Sequence, residues 1–201
     1  MFYEPPKRNH GLPHDPMKAI VAPRPIGWIS SISTSAVVNV APYSFFNLLS
    51  ERPYIVGFSS AGKKDSVRNV EETGEFVWNL ATLPLLEQMN LTSAPLPPGM
   101  SEFEYAHLET APSRLVKPPR VAAAPCALEC VYLQTLQLKG RNGAASEYHF
   151  VLGEVIGAHI DERYIQNGLV DTGKLQALGR CGYFDFTYVD AIISLPRPTW
   201  P

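Results

Sequence analysis

Lys63, Lys64, Asp65 and Ser66 stand where an apolar run ending in Ser59 and Ser60 meets a stretch with helical character. Two cations, several hydroxyls and the unpaired N–H groups of a helix start would converge there, and such a point suits a phosphate. Upstream, the aromatic residues Trp28, Tyr43, Phe45 and Phe46 offer apolar surface in segments that also carry Ser30, Ser31, Ser44 and Asn47. Flat apolar faces beside hydroxyls and amides suit a planar heterocycle. Phosphate at one end and a planar ring at the other describe flavin mononucleotide, FMN.

Other chemistries fit less well. Residues 57–63 match the G-x-x-x-x-G-K spacing of a phosphate loop, but Lys64 follows where a Ser or Thr should meet magnesium. The alternating parallel α/β pattern that such a loop needs is also missing. Residues 57–61, GFSSA, resemble a nucleophile elbow with alanine in place of the last glycine. There is no G-x-G-x-x-G run, so a Rossmann nicotinamide domain has no support. His10 and His14 are four apart, yet Pro13 and Pro16 break any helical face between them, and no metal site is expected.

The elements that must position these residues read as strands. Residues 26–33, 37–43, 54–59 and 75–80 are short apolar runs, and 127–138 and 147–159 are longer ones. The last two flank Gly140, Arg141, Asn142 and Gly143, a strong hairpin signal. Residues 44–51 read as a loop or a short helical turn. Residues 66–73 form a two-turn helix, with Asp65 as its N-cap and Gly74 as its stop. Further helices are expected at 83–91 and 101–106, in and beside the proline-rich loop 93–119. Residues 161–178 read as short helical pieces, and 179–197 as a mixed tail. Six or more antiparallel strands with small helices favour a closed or partly closed β-barrel over a doubly wound sheet.

The 201 residues make one expected domain, with 1–22 as a loop-rich arm. A net charge of −2 creates no field to gather nucleic acid or an anionic membrane. No apolar run approaches the ~20 residues that span a bilayer, and the prolines and charges of the N-terminus do not resemble a signal peptide. A cytoplasmic protein is expected. Cys126 and Cys130 share one face of their strand about 13 Å apart, too far for a disulfide, and read as core. With Cys181 they make no disulfide framework.

With those residues in view, the chain resembles the flavin reductase-like proteins, which hold FMN in a split barrel. PRPIGWISS, NVAPYSFFN, GFSSAGKKDSVRN, EETGEFVWNLA, APCALEC and HFVLGEVIGAHID carry the likeness, in order, over about residues 22–198. The chain departs from the family at Thr34, Ser35 and Ala36, where an Asp- or Gly-containing turn is usual, and at Cys181, where an apolar residue is usual.

The resemblance implies a mainly β fold, a Greek-key split β-barrel with short peripheral helices, assembled as a homodimer with FMN at the edge of the interface. It implies a flavin oxidoreductase, often using NADH or NADPH, with a small-molecule or flavin acceptor. By the same likeness, Trp28, Ile29, Ser30 and Ser31 line the flavin, and Ser44, Phe45, Phe46 and Asn47 meet the ring or ribityl chain. Ser59, Ser60, Lys64, Asp65 and Ser66 hold the ribityl and phosphate end, and Arg24 is a further candidate. His149 stands where the family often presents a polar side chain toward the ring or nicotinamide, as the catalytic candidate. Plainer roles exist: core aromatics for Phe45 and Phe46, a solvated loop for the lysines, a cap for Asp65, a hydrogen-bonded strand histidine for His149. Hydride transfer needs no nucleophile, metal or triad, because the cofactor carries the reactivity. The alternatives are a split-barrel carrier of FMN (or haem) without turnover and a structural barrel.

Overall fold

The structure, a computed structural model, describes residues 1–97 and 99–200; Pro98, inside the expected proline-rich loop, and Pro201 lie outside the described residues. Seven strands form the main sheet: Gly27–Ile32 (β1), Val38–Tyr43 (β2), Phe46–Glu51 (β3), Tyr54–Ala61 (β4), Glu75–Asn79 (β5), Cys126–Lys139 (β6) and Ala145–Ile160 (β7). Their order is β2-β1-β5-β6-β7-β4-β3, with every neighbouring pair antiparallel. The two edge strands, β2 and β3, are joined by only Ser44 and Phe45. Opposite edges tied by two residues force the sheet to curl until its edges meet at that corner. Tyr43 of β2 meets Phe58 of β4 across that corner, ring centroids 4.7 Å apart, and Ser59 N–H donates to the Phe45 carbonyl (2.8 Å), which carries the β3–β4 ladder into the corner. The result is a split β-barrel.

Alternation of side chains along the strands sorts the core into two layers. Ile29, Val56, Phe58, Phe76, Cys130 and Val151 fill the barrel, capped by Val67 and Val70 of helix α2 (Asp65–Thr73), which follows the one-turn helix α1 (Met17–Ile20) in the chain. Trp28, Val40, Ala81, Met89 and Phe103 form a second layer outside it. That layer lies against helices α3 (Leu86–Leu91) and α4 (Glu102–Tyr105). Helix α2 ends at Gly74, which takes a left-handed φ of 76° and donates to the Val70 carbonyl. Its N-cap is Lys64 rather than Asp65: the Asp65 carboxylate turns to Arg68 instead of the free N–H groups.

Residues 44–51 are not a loop or helical turn, because 46–51 pair with β4. A register shift between Leu48 and Ser50 inserts an extra residue there, and that bulge hides the two-residue period. In the first turn Ala36 adopts a φ of 63°, the left-handed conformation that Asp or Gly supplies more easily. The tail is more ordered than its sequence suggests. Leu178–Arg180 pairs with both Arg24–Pro25 and Phe186–Tyr188. Residues Ile165–Gln166 and Leu169–Val170 form a small hairpin amid the short helices. Among the described residues no helix is long and apolar enough to cross a membrane.

Candidate flavin-binding groove

A groove runs from the start of α2 to the β2–β3 corner. At the α2 end a cavity of about 470 Å³ is lined by Lys64, Asp65, Ser66, Tyr43, Thr92 and Ser93, among others. The middle, about 230 Å³, shares Pro42 and Ser93 with it and adds Ser44. The far end is the largest, about 690 Å³, and its walls include Arg24, Phe45, Phe46, Ser59, Tyr148 and Phe150. Ser44 lines both the middle and this far end.

The α2 end has one unpaired cation. Lys63 is bound to Glu71 at 2.8 Å and Arg68 to Asp65, whereas Lys64 has no side-chain partner among the described residues. Arg68 N–H is the first in the helix to bond backward, to the Lys64 carbonyl at 3.0 Å, so the N–H groups of the preceding turn lack helical partners. The Ser66 hydroxyl is not among the free donors. It is buried and donates to Asn39 Oδ1 at 2.8 Å. Asn39 Nδ2 in turn donates to Glu102 Oε2 at 3.0 Å, and Ser31 Oγ donates to Asn39 Oδ1. Burial pushes the Glu102 carboxyl above its ordinary value, against the N–H groups that favour its charged form. Burial likewise raises the Tyr43 phenol, opposed by the Ser66 and Ser60 hydroxyls beside it. Tyr43 therefore remains a donor.

The aromatic end is built by close approach of backbone and ring. A Cβ on Gly27 would stand 2.7 Å from the Phe46 ring, and one on Gly57 would stand 2.6 Å from Phe150. Phe46 stacks on Trp78 with planes 4° apart. Arg24 is buried, with its guanidinium donating to the carbonyls of Lys18, Val21 and Cys181 and lying 5.9 Å from the Phe45 centroid. Two buried polar atoms here have no hydrogen-bond partner, Ser59 Oγ and Arg24 Nε. Orphaned polar atoms in a cavity are what a polar-edged ligand would satisfy. The groove thus fits FMN at both ends.

The groove gathers Arg24, Ser44, Phe45, Phe46, Asn47 and Ser59 at one end and Lys64, Asp65 and Ser66 at the other. It does not gather the rest of the expected set. Trp28 is wholly buried and donates from Nε1 to Thr92 Oγ1 at 3.0 Å, and Ile29 is in the barrel core. Ser30 donates to the Pro119 carbonyl, Ser31 to Asn39 and Ser60 to the Gly62 carbonyl. His149 pairs with Ser60 across β7 and β4, on the face opposite Tyr148 and Phe150. Its Nδ1 lies 3.1 Å from the Glu147 carbonyl. Tyr148 and Phe150, which flank His149 in sequence, line the groove instead; strand alternation signals them once the other face is chosen. Thr92 and Ser93 follow α3 and carry no local signal.

Known proteins resemble this chain in sequence and in fold. Residues 18–179 match the flavin reductase like domain. An uncharacterized protein of Halalkalibacterium halodurans is 35% identical over 184 residues, covering 89% of this chain and 88% of the relative. Nitrilotriacetate monooxygenase component B from Bacillus cereus superposes with a TM-score of 0.87 at 27% identity, over 97% of this chain and 98% of that one. The 2-nitrobenzoate 2-nitroreductase of Pseudomonas fluorescens gives 0.81, also at 27% identity, over 92% and 90%. The chain belongs to the flavin reductase-like family.

Proposed function

We propose that this protein binds FMN in the groove and passes hydride from NADH or NADPH to it, and onward to a small-molecule or flavin acceptor. The observation that carries the reading is the pairing of an unpartnered cation and helix start with an aromatic chamber containing two unsatisfied polar atoms. The likeness to a monooxygenase component and a nitroreductase supports a flavin oxidoreductase role.

Bound FMN supplies a ring that accepts hydride and releases electrons. The chain's own residues do the rest. Lys64 and the first-turn N–H groups of α2 neutralise and orient the phosphate. Ser44 and Ser93 line the passage for the ribityl chain, while Phe45, Phe46 and Phe150 exclude water and give the ring apolar faces. Ser59, Asn47 and Arg24 offer polar contacts at the ring's edge. Trp28, Ile29, Ser30, Ser31, Ser60 and Ser66 act by holding the strands and α2 in register. In this reading the protein is a homodimer and cytoplasmic, its three free thiols at home in a reducing compartment.

The test is anaerobic. Purified protein loaded with FMN should lose its yellow absorbance on addition of NADH or NADPH and regain it with oxygen. Reduction by dithionite but by neither nicotinamide would leave a flavin carrier, or an enzyme with another donor. A protein that takes up no flavin at all would leave only the structural barrel.

A further inference from the structure

A second cleft, of about 500 Å³, lies between the strap 112–125 and the paired ends of β6 and β7, and shares no lining residue with the groove. Its floor is Glu129 and its walls include Arg114, Arg120, His159 and Asp161. Glu129 is 1% exposed and accepts N–H bonds from Arg114 (2.7 Å), Leu115 (2.6 Å) and Val116 (3.1 Å). His159 Nε2 lies 2.5 Å from the same carboxylate. The two side chains meet because of a bulge: β7 slips between Val155 and Gly157, which sets Gly157 opposite Glu129 and His159 opposite Ala127.

The charges in the cleft are unevenly satisfied. Glu129 is saturated by four donors, and Asp161 is chelated by the Arg163 guanidinium through both oxygens. The Arg114 and Arg120 guanidiniums have no carboxylate partner among the described residues, and Arg120 Nε bonds only the Pro112 carbonyl at 3.3 Å. With Nε2 committed to Glu129, His159 Nδ1 has no partner among the described residues either. Two guanidinium forks around a concave, half-open space lack one thing, an anion.

We propose that this cleft binds a phosphate group, held between the Arg114 and Arg120 guanidiniums, with His159 Nδ1 accepting from the phosphate's remaining hydroxyl. Its occupant is either free phosphate or the phosphate of a nucleotide. Glu129 acts as a positioning residue, fixing the strap and the imidazole from below. The site is independent of the flavin reading, because none of its residues touches the groove.

The experiment is calorimetric titration of the whole protein with inorganic phosphate, and separately with adenosine monophosphate, at constant ionic strength in chloride. Saturable binding is expected, weakened about tenfold by Arg114→Ala and again by Arg120→Ala. Both changes lie on the strap and should leave the FMN titration and the thermal midpoint unaltered. Lys64→Ala should leave phosphate binding at the cleft intact. Tighter binding of the nucleotide would support the nucleotide as occupant, and equal binding the free ion. Binding lost in Lys64→Ala but kept in the arginine variants places the ion at α2 and overturns the proposal. So does the absence of saturation through the millimolar range.

Discussion

At the scale of single residues, the groove turns on which cation is free. The sequence points to Lys64 for the phosphate, and ion pairs to Glu71 and Asp65 occupy its neighbours Lys63 and Arg68. Lys64 is left unpaired, as the proposed phosphate contact requires. A charged hydrogen bond of this kind contributes roughly 1.5–3 kcal/mol, which is on the order of 10- to 150-fold in affinity. Lys64→Ala should weaken FMN binding within that range, less so at high salt. Riboflavin lacks the phosphate, so its affinity should hold. An unchanged FMN-to-riboflavin ratio would make Lys64 an ordinary solvated side chain. The residue types at the start of α2 were legible in the sequence because a helix start follows from local pattern. The face of each serine was not: Ser59 lines the groove and Ser60 belongs to the interior, since neighbours on a strand point oppositely and the face depends on distant pairing.

At the scale of elements, bulges decide what faces what. Leu136 and Leu138 continue the apolar alternation of Cys130 and Tyr132 in sequence, which reads as one inward face. The register shift between Tyr132 and Gln134 turns them outward, so Leu136 pairs with Phe150 and Leu138 lines the aromatic chamber. An extra residue leaves no mark in composition, so this part of the site was illegible. Six of the seven main strands were legible, since their apolar runs are short and bounded, but β3 was not, because its own bulge hides the alternation. The strap 112–125 is another element whose place only the fold reveals, being pinned to β6 by Glu129. Burial would raise that carboxyl, but His159 and three backbone N–H groups hold it down, from 4.5 to about 2. A lowered value means the native state favours the charged form, so the stabilisation is complete above 4.5 and is lost as pH falls toward 2. The shift corresponds to roughly 3 kcal/mol. Glu129→Gln should therefore lower stability at neutral pH and flatten the acid limb of a denaturation-versus-pH curve. An unaltered acid limb would mean that the strap is held by its apolar contacts alone.

At the scale of the whole molecule, the outer face of β3, β4, β6 and β7 is what the single chain leaves unfinished. Leu49, Val131, Leu136 and Leu138 are all exposed there, while the tail carries Ile193, Leu195 and Trp200 almost bare. A monomer seldom keeps so much contiguous apolar surface in water. The aromatic chamber opens on this face, with Leu49 and Leu138 in its wall. Pairing two copies across it would both bury the leucines and close the chamber. An interface of that kind buries about 2,000 Å² or more and does not exchange freely. Sedimentation at micromolar concentration should accordingly give twice the 22.2 kDa of the chain. Leu136→Asp places a charge where the partner would pack, so it should yield monomers and weaken FMN and riboflavin alike, since the ring end loses its cover. That common loss separates the change from Lys64→Ala, which discriminates between the two ligands. A folded monomer of the parent chain that still holds FMN would show that the chamber is complete in one copy.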